Sequence, residues 1–251
     1  LGMAYQSNLQ YTKAKFAYEQ FKKKAPKKRW EEIDQRIREC MFSHALLSNP
    51  IDVIIENVGS AINSPFDDYS PVITSDGLTM LFTSNRTTDS AKIKAGKNFE
   101  DMYMSQKVND EWDVPKKIGA PLSIYAHDAI ASISPDGNSL FIYYETNKGD
   151  IFISKKDDKG DWVKPVPLNK NVNTVFRETS ASVTADGKKL YFSSDKPGGK
   201  GGLDIYVSEQ DATGNWGKAV NVAEINTAGD EDSPFIHHDG VTLYFSSNGH
   251  P

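Results

Sequence analysis

The pair Asp-Gly occurs four times in this chain, each time in the same local setting, and it constrains the fold more than any other feature. The four glycines are Gly77, Gly137, Gly187 and Gly240, which lie 60, 50 and 53 residues apart. A short apolar run precedes each pair, and a second run rich in Leu, Tyr and Phe follows it. Repeats of this length that contain only short strands predict a chain of similar β units placed side by side.

Each repeat is predicted to hold four strands. A Ser/Asn-rich loop leads from the second run to an Asp that opens a third run, and a tryptophan follows 11 or 12 residues later. Trp112, Trp162 and Trp216 lie 25, 25 and 24 residues before the next Asp-Gly glycine, so the loop between the second and third strands carries most of the length variation. Four short strands per repeat are typical of a blade, and the predicted fold class is an all-β propeller.

These spacings place the individual strands. The innermost strands are predicted at residues 70–74, 129–134, 180–184 and 233–237, and the second strands at residues 80–84, 140–144, 190–194 and 243–247. Third strands are predicted to begin at Asp101, Asp150 and Asp204, and the outer strands to pass through the three tryptophans. Because a propeller needs at least about four blades, we expect the natural protein to continue past these three and a half.

Composition and charge narrow the class of protein. The chain of 251 residues is 38% apolar and 25% charged, as in an ordinary globular protein of about two domains. It has no apolar run near the ~18 residues that span a bilayer, and the single Cys40 excludes an internal disulfide. Residues 1–50 carry a net charge of +5 and the remainder −10, so the β region would repel phosphates and no nucleic-acid partner is expected.

The first 49 residues are predicted to form an α-helical domain that precedes the propeller at residues 50–251. Residues 1–25 have a helical pattern, and a second helix is predicted at residues 30–47, where Cys40 is expected to be a core residue and not a nucleophile. The basic runs at residues 22–24 and 27–29 fit a solvated helix end better than an anionic-lipid patch. The spacing of small and aromatic residues here resembles one tetratricopeptide repeat, counted from its Leu-Gly pair onward. The residues at the motif positions are Leu1, Gly2, Tyr5, Ala14, Tyr18, Phe21 and Pro26.

Residues 51–59, IDVIIENVG, alternate like a strand. Their place before the first Asp-Gly pair predicts the outermost strand of the last blade, which would close the ring. The first residues, LGMAYQ, lack the features of a signal peptide, so we expect this chain to begin inside a domain.

The propeller repeats resemble a known family. The segments at residues 134–141, 190–194 and 202–208 follow the forms SPDGxxLYFSS and GGxDIYVS, and they resemble the WD40-like propeller repeats of TolB. A tetratricopeptide segment followed directly by such a propeller is similar to PorE-like periplasmic proteins of the Bacteroidetes type IX secretion system. Those proteins carry an OmpA-like peptidoglycan-binding domain after the propeller. The resemblance implies a periplasmic protein associated with the outer membrane, and peptidoglycan binding only through a domain that this chain lacks.

One glycine-rich stretch could be mistaken for a ligand site. Residues 197–202, PGGKGG, lead into a strand and lack the Lys-Ser/Thr ending of a phosphate-binding loop. The same glycines with Asp204 do not repeat in tandem, whereas the nonapeptides of a calcium β-roll do. A flexible turn is therefore the preferred interpretation. No cofactor and no metal site are predicted.

Charged residues recur immediately before each innermost strand. In an antiparallel blade this end also carries the loops between the second and third strands, at residues 85–100, 145–149 and 195–203, so these groups are predicted to share one face. One interpretation is that these residues form a structural hydrogen bond that is repeated in every blade. The other is that they form a ring of polar groups that binds partners, and such a ring would favour partners with basic groups. The candidate partner-binding residues are Asp67, Asp68, Arg86, His127, Asp128, Arg177, Glu178, Lys196, Glu231 and Asp232.

No arrangement of residues in the sequence predicts catalysis, because it contains no nucleophile elbow, no HExxH and no paired cysteines. The predicted function is a non-enzymatic scaffold that holds other cell-envelope proteins or peptides. The alternative is the propeller of a glycan-active enzyme or peptidase whose catalytic part lies outside this chain, since propellers serve both roles.

Overall fold

A computed structural model describes residues 1–50, Asp52, 54–87, 99–123 and 127–250. The chain divides into two compact units, a helical unit of residues 1–56 and a β unit of residues 57–249.

The helical unit contains three α-helices and one short 3₁₀ turn. The helices are α1 (Gly2–Ser7), α2 (Tyr11–Lys22) and α3 (Trp30–Ser48), and the 3₁₀ turn spans Lys27–Arg29. Residues 1–25 are mostly helical, as predicted, and a turn separates α1 from α2. Leu9 in this turn has a φ of 56°, a left-handed conformation that ends a helix.

The helices enclose a small core of Ala14, Tyr18, Ile33 and Cys40, all of which are buried. Gly2 contacts this core closely, since a Cβ at this position would lie 2.7 Å from the Tyr18 ring. Cys40 is confirmed as a core residue, and burial raises the pKa of its thiol. The spacing of apolar residues in the sequence also predicts Met41 and Leu46 on the buried stripe of α3, and this prediction was wrong, because they are 54% and 51% exposed.

The strand predicted at residues 51–59 was wrong over residues 54–59, which have no secondary structure, while Ile51 and Val53 lie outside the described residues. Ile54 and Ile55 are 87% and 91% exposed. These residues form no strand because no other strand of the described chain pairs with them. An alternating sequence alone cannot satisfy the backbone hydrogen-bonding groups of an unpaired strand.

The β unit consists of four antiparallel sheets in chain order. Sheet 1 has β1 (Asp68–Ile73), β2 (Thr79–Ser84), β3 (Asp101–Val108), β4 (Glu111–Trp112) and β5 (Lys116–Lys117). Sheet 2 has β6 (Asp128–Ile133), β7 (Ser139–Tyr144), β8 (Asp150–Lys155) and β9 (Val166–Pro167). Sheet 3 has β10 (Glu178–Val183), β11 (Lys189–Ser194), β12 (Asp204–Glu209) and β13 (Val220–Asn221), and sheet 4 has β14 (Glu231–Ile236) and β15 (Leu243–Ser247).

The predicted positions of the inner, second and third strands are confirmed to within two residues. The Asp-Gly turns join the first two strands of every sheet, as expected, and all four glycines have φ between 68° and 72°. Glycine adopts this left-handed conformation without steric cost. The aspartate of each turn accepts backbone N–H groups, as when Asp76 accepts the amide of Leu78 at 2.9 Å.

In sheet 1 the prediction of a strand through the tryptophan is confirmed, because β4 includes Trp112, but the outer strands of sheets 2 and 3 were predicted too early in the sequence. In sheets 2 and 3 they are two-residue strands, β9 and β13, that begin four residues after the tryptophan. Trp162 and Trp216 form only single bridges, with Lys156 and Gln210. Trp162 and Trp216 therefore lie between the third and outer strands of their sheets.

Successive sheets pack face to face through continuous cores. One core joins sheets 1 and 2 and includes Leu81, Met102, Leu140 and Ile142. A second core joins sheets 2 and 3 and includes Phe141, Leu190, Phe192, Tyr206 and Trp216. Four-stranded antiparallel sheets packed in this sequential way are the blades of a β-propeller.

Candidate functional site

The candidate site is the end of the β unit where the innermost strands begin, which we call the rim. Strand register places the start of each inner strand beside the end of the second strand and the start of the third. In sheet 3, for example, Glu178 is opposite Ser194, which is opposite Asp204. The loops at residues 145–149 and 195–203 therefore lie on the rim as predicted, whereas most of the loop at residues 85–100 lies outside the described residues.

The four innermost strands surround a cavity of about 740 Å³, which we call the central cavity. Every inner strand departs from regular register near its third residue, as between Tyr69 and Val72 in β1. Such bulges turn backbone groups out of the sheet. Two of these strands hold a serine in the left-handed region, Ser70 at a φ of 50° and Ser233 at 54°.

Three of the predicted binding residues, Asp128, Glu178 and Glu231, are completely buried. Glu178 accepts hydrogen bonds from the amide of Thr174 at 3.0 Å, from the Thr174 hydroxyl at 2.9 Å and from Ser194 Oγ at 2.8 Å. Its carboxylate thus ties the crossover from the preceding sheet to the end of the second strand. A partner cannot contact a group in this position directly.

The same arrangement recurs in two other sheets. Glu231 accepts the amide and hydroxyl of Thr227 at 2.7 and 2.6 Å. Asp68 accepts the amide and hydroxyl of Ser64 at 2.6 and 2.9 Å. Ser247 and Ser84, at the ends of the second strands, complete the two sets at 2.7 and 2.6 Å.

Of the two interpretations of the recurring charges, the structure places these carboxylates in a repeated structural hydrogen bond. Sequence analysis missed the hydroxyl partners, although the signal was present. A Ser or Thr lies four residues before Asp68, Glu178 and Glu231, and a Ser lies 16 residues after each. In sheet 2 the pattern changes, because Ser123 donates to Asp128 at 3.0 Å from five residues upstream.

The carboxylates of Glu178 and Asp68 have opposite pKa shifts. Burial raises the pKa of Glu178, and this effect exceeds the lowering by its hydrogen bonds from Thr174 and Ser194. Burial acts in the same sense on Asp68, but hydrogen bonds from Ser84, Arg86 and Ser64 together outweigh it and hold the pKa of Asp68 below its usual value.

Arg86 and Lys196 are not free on the rim, because each lies over two aromatic rings of its own sheet. The Arg86 guanidinium is 4.9 Å from the Phe82 ring centre and 5.0 Å from that of Tyr103, and it pairs with Asp68 at 2.5 Å. Lys196 Nζ is 3.8 Å from the ring centre of Tyr206, and burial lowers the pKa of this lysine. Cation–π contacts of this kind hold both side chains against the sheet.

Removing the Arg86 side chain is expected to destabilise the β unit. In Arg86→Ala, Asp68 would lose a charged partner while remaining mostly buried, and we expect a loss of about 2 kcal/mol after allowance for its partial exposure. Urea denaturation measures the effect. Arg86→Lys is the matched control, because Lys196 occupies the equivalent place in sheet 3, and it should recover most of the loss. Equal stabilities of Arg86→Ala and wild type would show that Asp68 does not need this partner.

The other predicted residues are exposed or half-buried on the rim. Asp67 and Arg177 are exposed, and their backbone amides donate to Asn85 at 3.0 Å and to Asp195 at 2.8 Å. Asp232 borders the central cavity and accepts the hydroxyls of Thr179 at 2.8 Å and Ser180 at 2.6 Å. His127 lies between Glu100, which contacts its Nδ1, and Glu145, which is 3.9 Å from its Nε2. Sequence analysis did not find the two glutamates, whose separation along the chain follows no repeat.

The glycine-rich stretch at residues 197–202 is an exposed turn, as predicted, and some of its backbone lies against neighbouring segments. Lys200 and Gly201 donate their amides to Asp204 at 2.9 and 3.2 Å. A Cβ on Gly201 would lie 1.8 Å from the carbonyl oxygen of Gly229. These glycines let the loop lie against the crossover into sheet 4.

Substitution of Gly201 by alanine is therefore expected to cost about 2 kcal/mol of stability, because the added methyl must displace a backbone carbonyl. Gly119→Ala is the control, since a Cβ at Gly119 meets nothing within 4 Å and the residue has no positive φ. Thermal unfolding of the two variants should differ clearly. Similar melting temperatures would mean that the loop moves aside without cost.

The described residues hold neither a metal-binding cluster nor a membrane-spanning helix. They contain no group of three or more His, Cys, Asp or Glu side chains placed to hold a metal ion. Within the same residues, no helix has the length and apolar character that a membrane crossing requires.

The fold defines a protein of the propeller class. No protein-family model and no curated protein match the sequence. Among solved structures, the chain is similar to TolB from Acinetobacter baumannii, with 17% identity and a TM-score of 0.46 over 74% of this chain and 39% of the other. It is also similar to a TolB-type protein from Agrobacterium tumefaciens, with 17% identity and a TM-score of 0.49 over 70% of this chain and 53% of the other.

A periplasmic gluconolactonase of Pseudomonas aeruginosa is similar as well, with 13% identity and a TM-score of 0.39 over 71% of this chain and 64% of the other. This chain thus spans about half or less of the length of the two TolB structures.

Proposed function

We propose that this chain is a non-enzymatic interaction module that holds partner proteins or peptides on the rim of its propeller. The observation that carries the proposal is the central cavity of about 740 Å³, which the inner strands of all four sheets line. Loops of unequal length lie on the rim, at residues 145–149 and 195–203. Recognition is commonly placed on such loops because packing does not fix their length. The buried carboxylates hold the scaffold, and the exposed groups beside them are the candidate contacts.

The location and the assembly are part of the same proposal. The likeness of the repeats to TolB and of the domain order to PorE-like proteins supports a periplasmic module of a cell-envelope assembly of the type IX secretion kind. In this proposal the propeller is associated with the outer membrane, and a further OmpA-like domain outside this chain contacts peptidoglycan.

Affinity purification of the full-length protein from envelope extracts of its host tests this proposal. We expect envelope proteins to co-purify with the wild type and to be reduced in a rim variant that carries Asp67→Lys, Arg177→Glu and Asp195→Lys, all exposed positions. A control variant with Lys188→Glu and Glu111→Lys, two exposed positions on the Asp-Gly face, should retain them. Recovery of the wild type without partners, or robust turnover in a screen of glycosidase and peptidase substrates, would contradict the proposal and favour the enzyme alternative.

A further inference from the structure

A small separate cavity opens on the rim between sheets 1 and 2, and we call it the rim pocket. It has a volume of about 240 Å³ and adjoins the central cavity through three shared residues. This volume suits one side chain and is too small for a folded domain. The rim pocket is lined by Tyr69, Glu100, His127, Ala129, Tyr143 and Glu145.

Aromatic rings form the walls of the rim pocket. Tyr69 comes from β1 and is 39% exposed, and Tyr143 comes from β7 and is half-buried. Burial, with the nearby Glu100, Asp67 and Tyr143, raises the pKa of Tyr69 to about 12, so its phenol stays neutral in ordinary buffers. Neutral phenol rings attract a cation to their faces through the ring quadrupole.

The charges of the rim pocket are acidic. Glu100 is occupied by His127, which contacts it through Nδ1. The Glu145 side chain is 62% exposed and lies 3.9 Å from the other ring nitrogen of His127, too far for a hydrogen bond. Among the described residues that line the pocket there is no lysine or arginine. Glu145 is thus an acceptor available to an incoming group.

We propose that the rim pocket binds an arginine side chain of a partner protein, with the guanidinium stacked on Tyr69 or Tyr143 and hydrogen-bonded to Glu145. This inference rests on the proposed function and names the chemistry of the partner. A planar guanidinium combines stacking on an aromatic ring with a forked hydrogen bond to a carboxylate, which no other side chain does equally well.

Other occupants fit the same walls less well. An anionic group would meet the carboxylates of Glu100 and Glu145 and be repelled. A single metal ion cannot use all three polar groups, because the two nitrogens of His127 face different glutamates on opposite edges of the ring. An apolar side chain would leave the Glu145 carboxylate without a partner in a partly desolvated site.

Titration of the isotope-labelled full chain with N-acetyl-arginine amide, followed by NMR of the tyrosine and histidine rings, tests the pocket directly. We expect saturable shifts at Tyr69, Tyr143 and His127, and at least about fivefold weaker binding in Glu145→Gln. Glu111→Gln, an exposed change in the hairpin at the opposite face, should bind as the wild type does. The matched ligand N-acetyl-citrulline amide has the same shape without charge and should give no saturable shift.

The two proposals fail in different ways. Equal binding of the arginine and citrulline ligands, or unchanged binding in both Glu145→Gln and Tyr69→Leu variants that keep the wild-type melting temperature, would overturn the rim pocket proposal. Partners that co-purify equally with wild type and Glu145→Gln would also count against it while leaving the interaction module intact. Absence of any rim partner for the wild type would instead overturn the proposed function.

Discussion

Replacing Trp216 by alanine is expected to lower the free energy of unfolding of the β unit by about 3–5 kcal/mol, because the ring is removed from a close-packed core. Trp216 is only 5% exposed and packs with residues of sheets 2 and 3, including Leu190 and Tyr206. A loss of this size should lower the melting temperature by roughly 6–20 °C. Differential scanning calorimetry measures it.

The equivalent tryptophans provide the comparison. Their constant spacing predicts equal burial in all three repeats, but Trp112 and Trp162 are only partly buried against their cores. We therefore expect Trp162→Ala to lower the melting temperature less than Trp216→Ala does. An equal or larger effect at Trp162 would contradict the packing described for sheet 3.

Replacing Glu178 by alanine is expected to destabilise the β unit by about 3–5 kcal/mol. The change leaves the amide and hydroxyl of Thr174 and the hydroxyl of Ser194 without their acceptor in a buried place, and each unsatisfied group costs about 1–3 kcal/mol, less where a hydroxyl can rotate to another partner. Urea denaturation at constant pH gives the free energy of unfolding. The neighbouring Arg177→Ala, on an exposed side chain, should stay within about 0.5 kcal/mol of wild type.

The pH dependence of the free energy of unfolding distinguishes the ionisable role of Glu178 from a contribution of packing alone. Because the pKa of Glu178 is raised in the folded state, the folded state binds the proton more tightly than the unfolded state does. Its contribution to stability is therefore fully present below the ordinary glutamate pKa of 4.5 and decreases as pH rises through the raised value. Wild type should lose more stability than Glu178→Gln over this interval. A loss of equal size in both proteins would show that Glu178 does not titrate abnormally.

Residues for charge reversal on the rim must be chosen by the exposure of their side chains. From the sequence, reversal at Asp68, Glu178 and Asp232 would weaken binding without unfolding the propeller. The structure changes this expectation for Glu178, which is fully buried, and for Asp68, whose side chain is 11% exposed. An exposed position such as Arg177 can report on binding without the loss of a buried hydrogen-bond acceptor.

The strand order could be predicted from the sequence because it depends on local signals. Each Asp-Gly turn fixes the two strands beside it, and the aspartates at the start of β3, β8 and β12 mark the third strands. The outer strands carry no such signal, since β9 and β13 are only two residues long. In residues 54–59 a local signal was misleading, because an alternating sequence forms no strand when no neighbouring strand pairs with it.

The candidate site was only partly predictable for a different reason. The sequence placed the charged residues on one rim correctly, since strand direction follows from the turns. It could not show which of them are buried, because the burial of Glu231 depends on a crossover that folds back onto its carboxylate. The rim pocket was beyond sequence reasoning, because Tyr69, Tyr143 and Glu145 meet only when two sheets pack together.

Site-specific photocross-linking in the native host tests most directly the claim that partners bind on the rim. A benzophenone side chain would replace Asp195 on the rim or Lys188 on the Asp-Gly face, both of which are exposed. The account predicts discrete cross-linked products with envelope proteins from position 195, reduced in competition with excess unlabelled wild-type protein, and none from position 188. Products from position 188 with none from position 195 would contradict it and would place the binding surface on the opposite face.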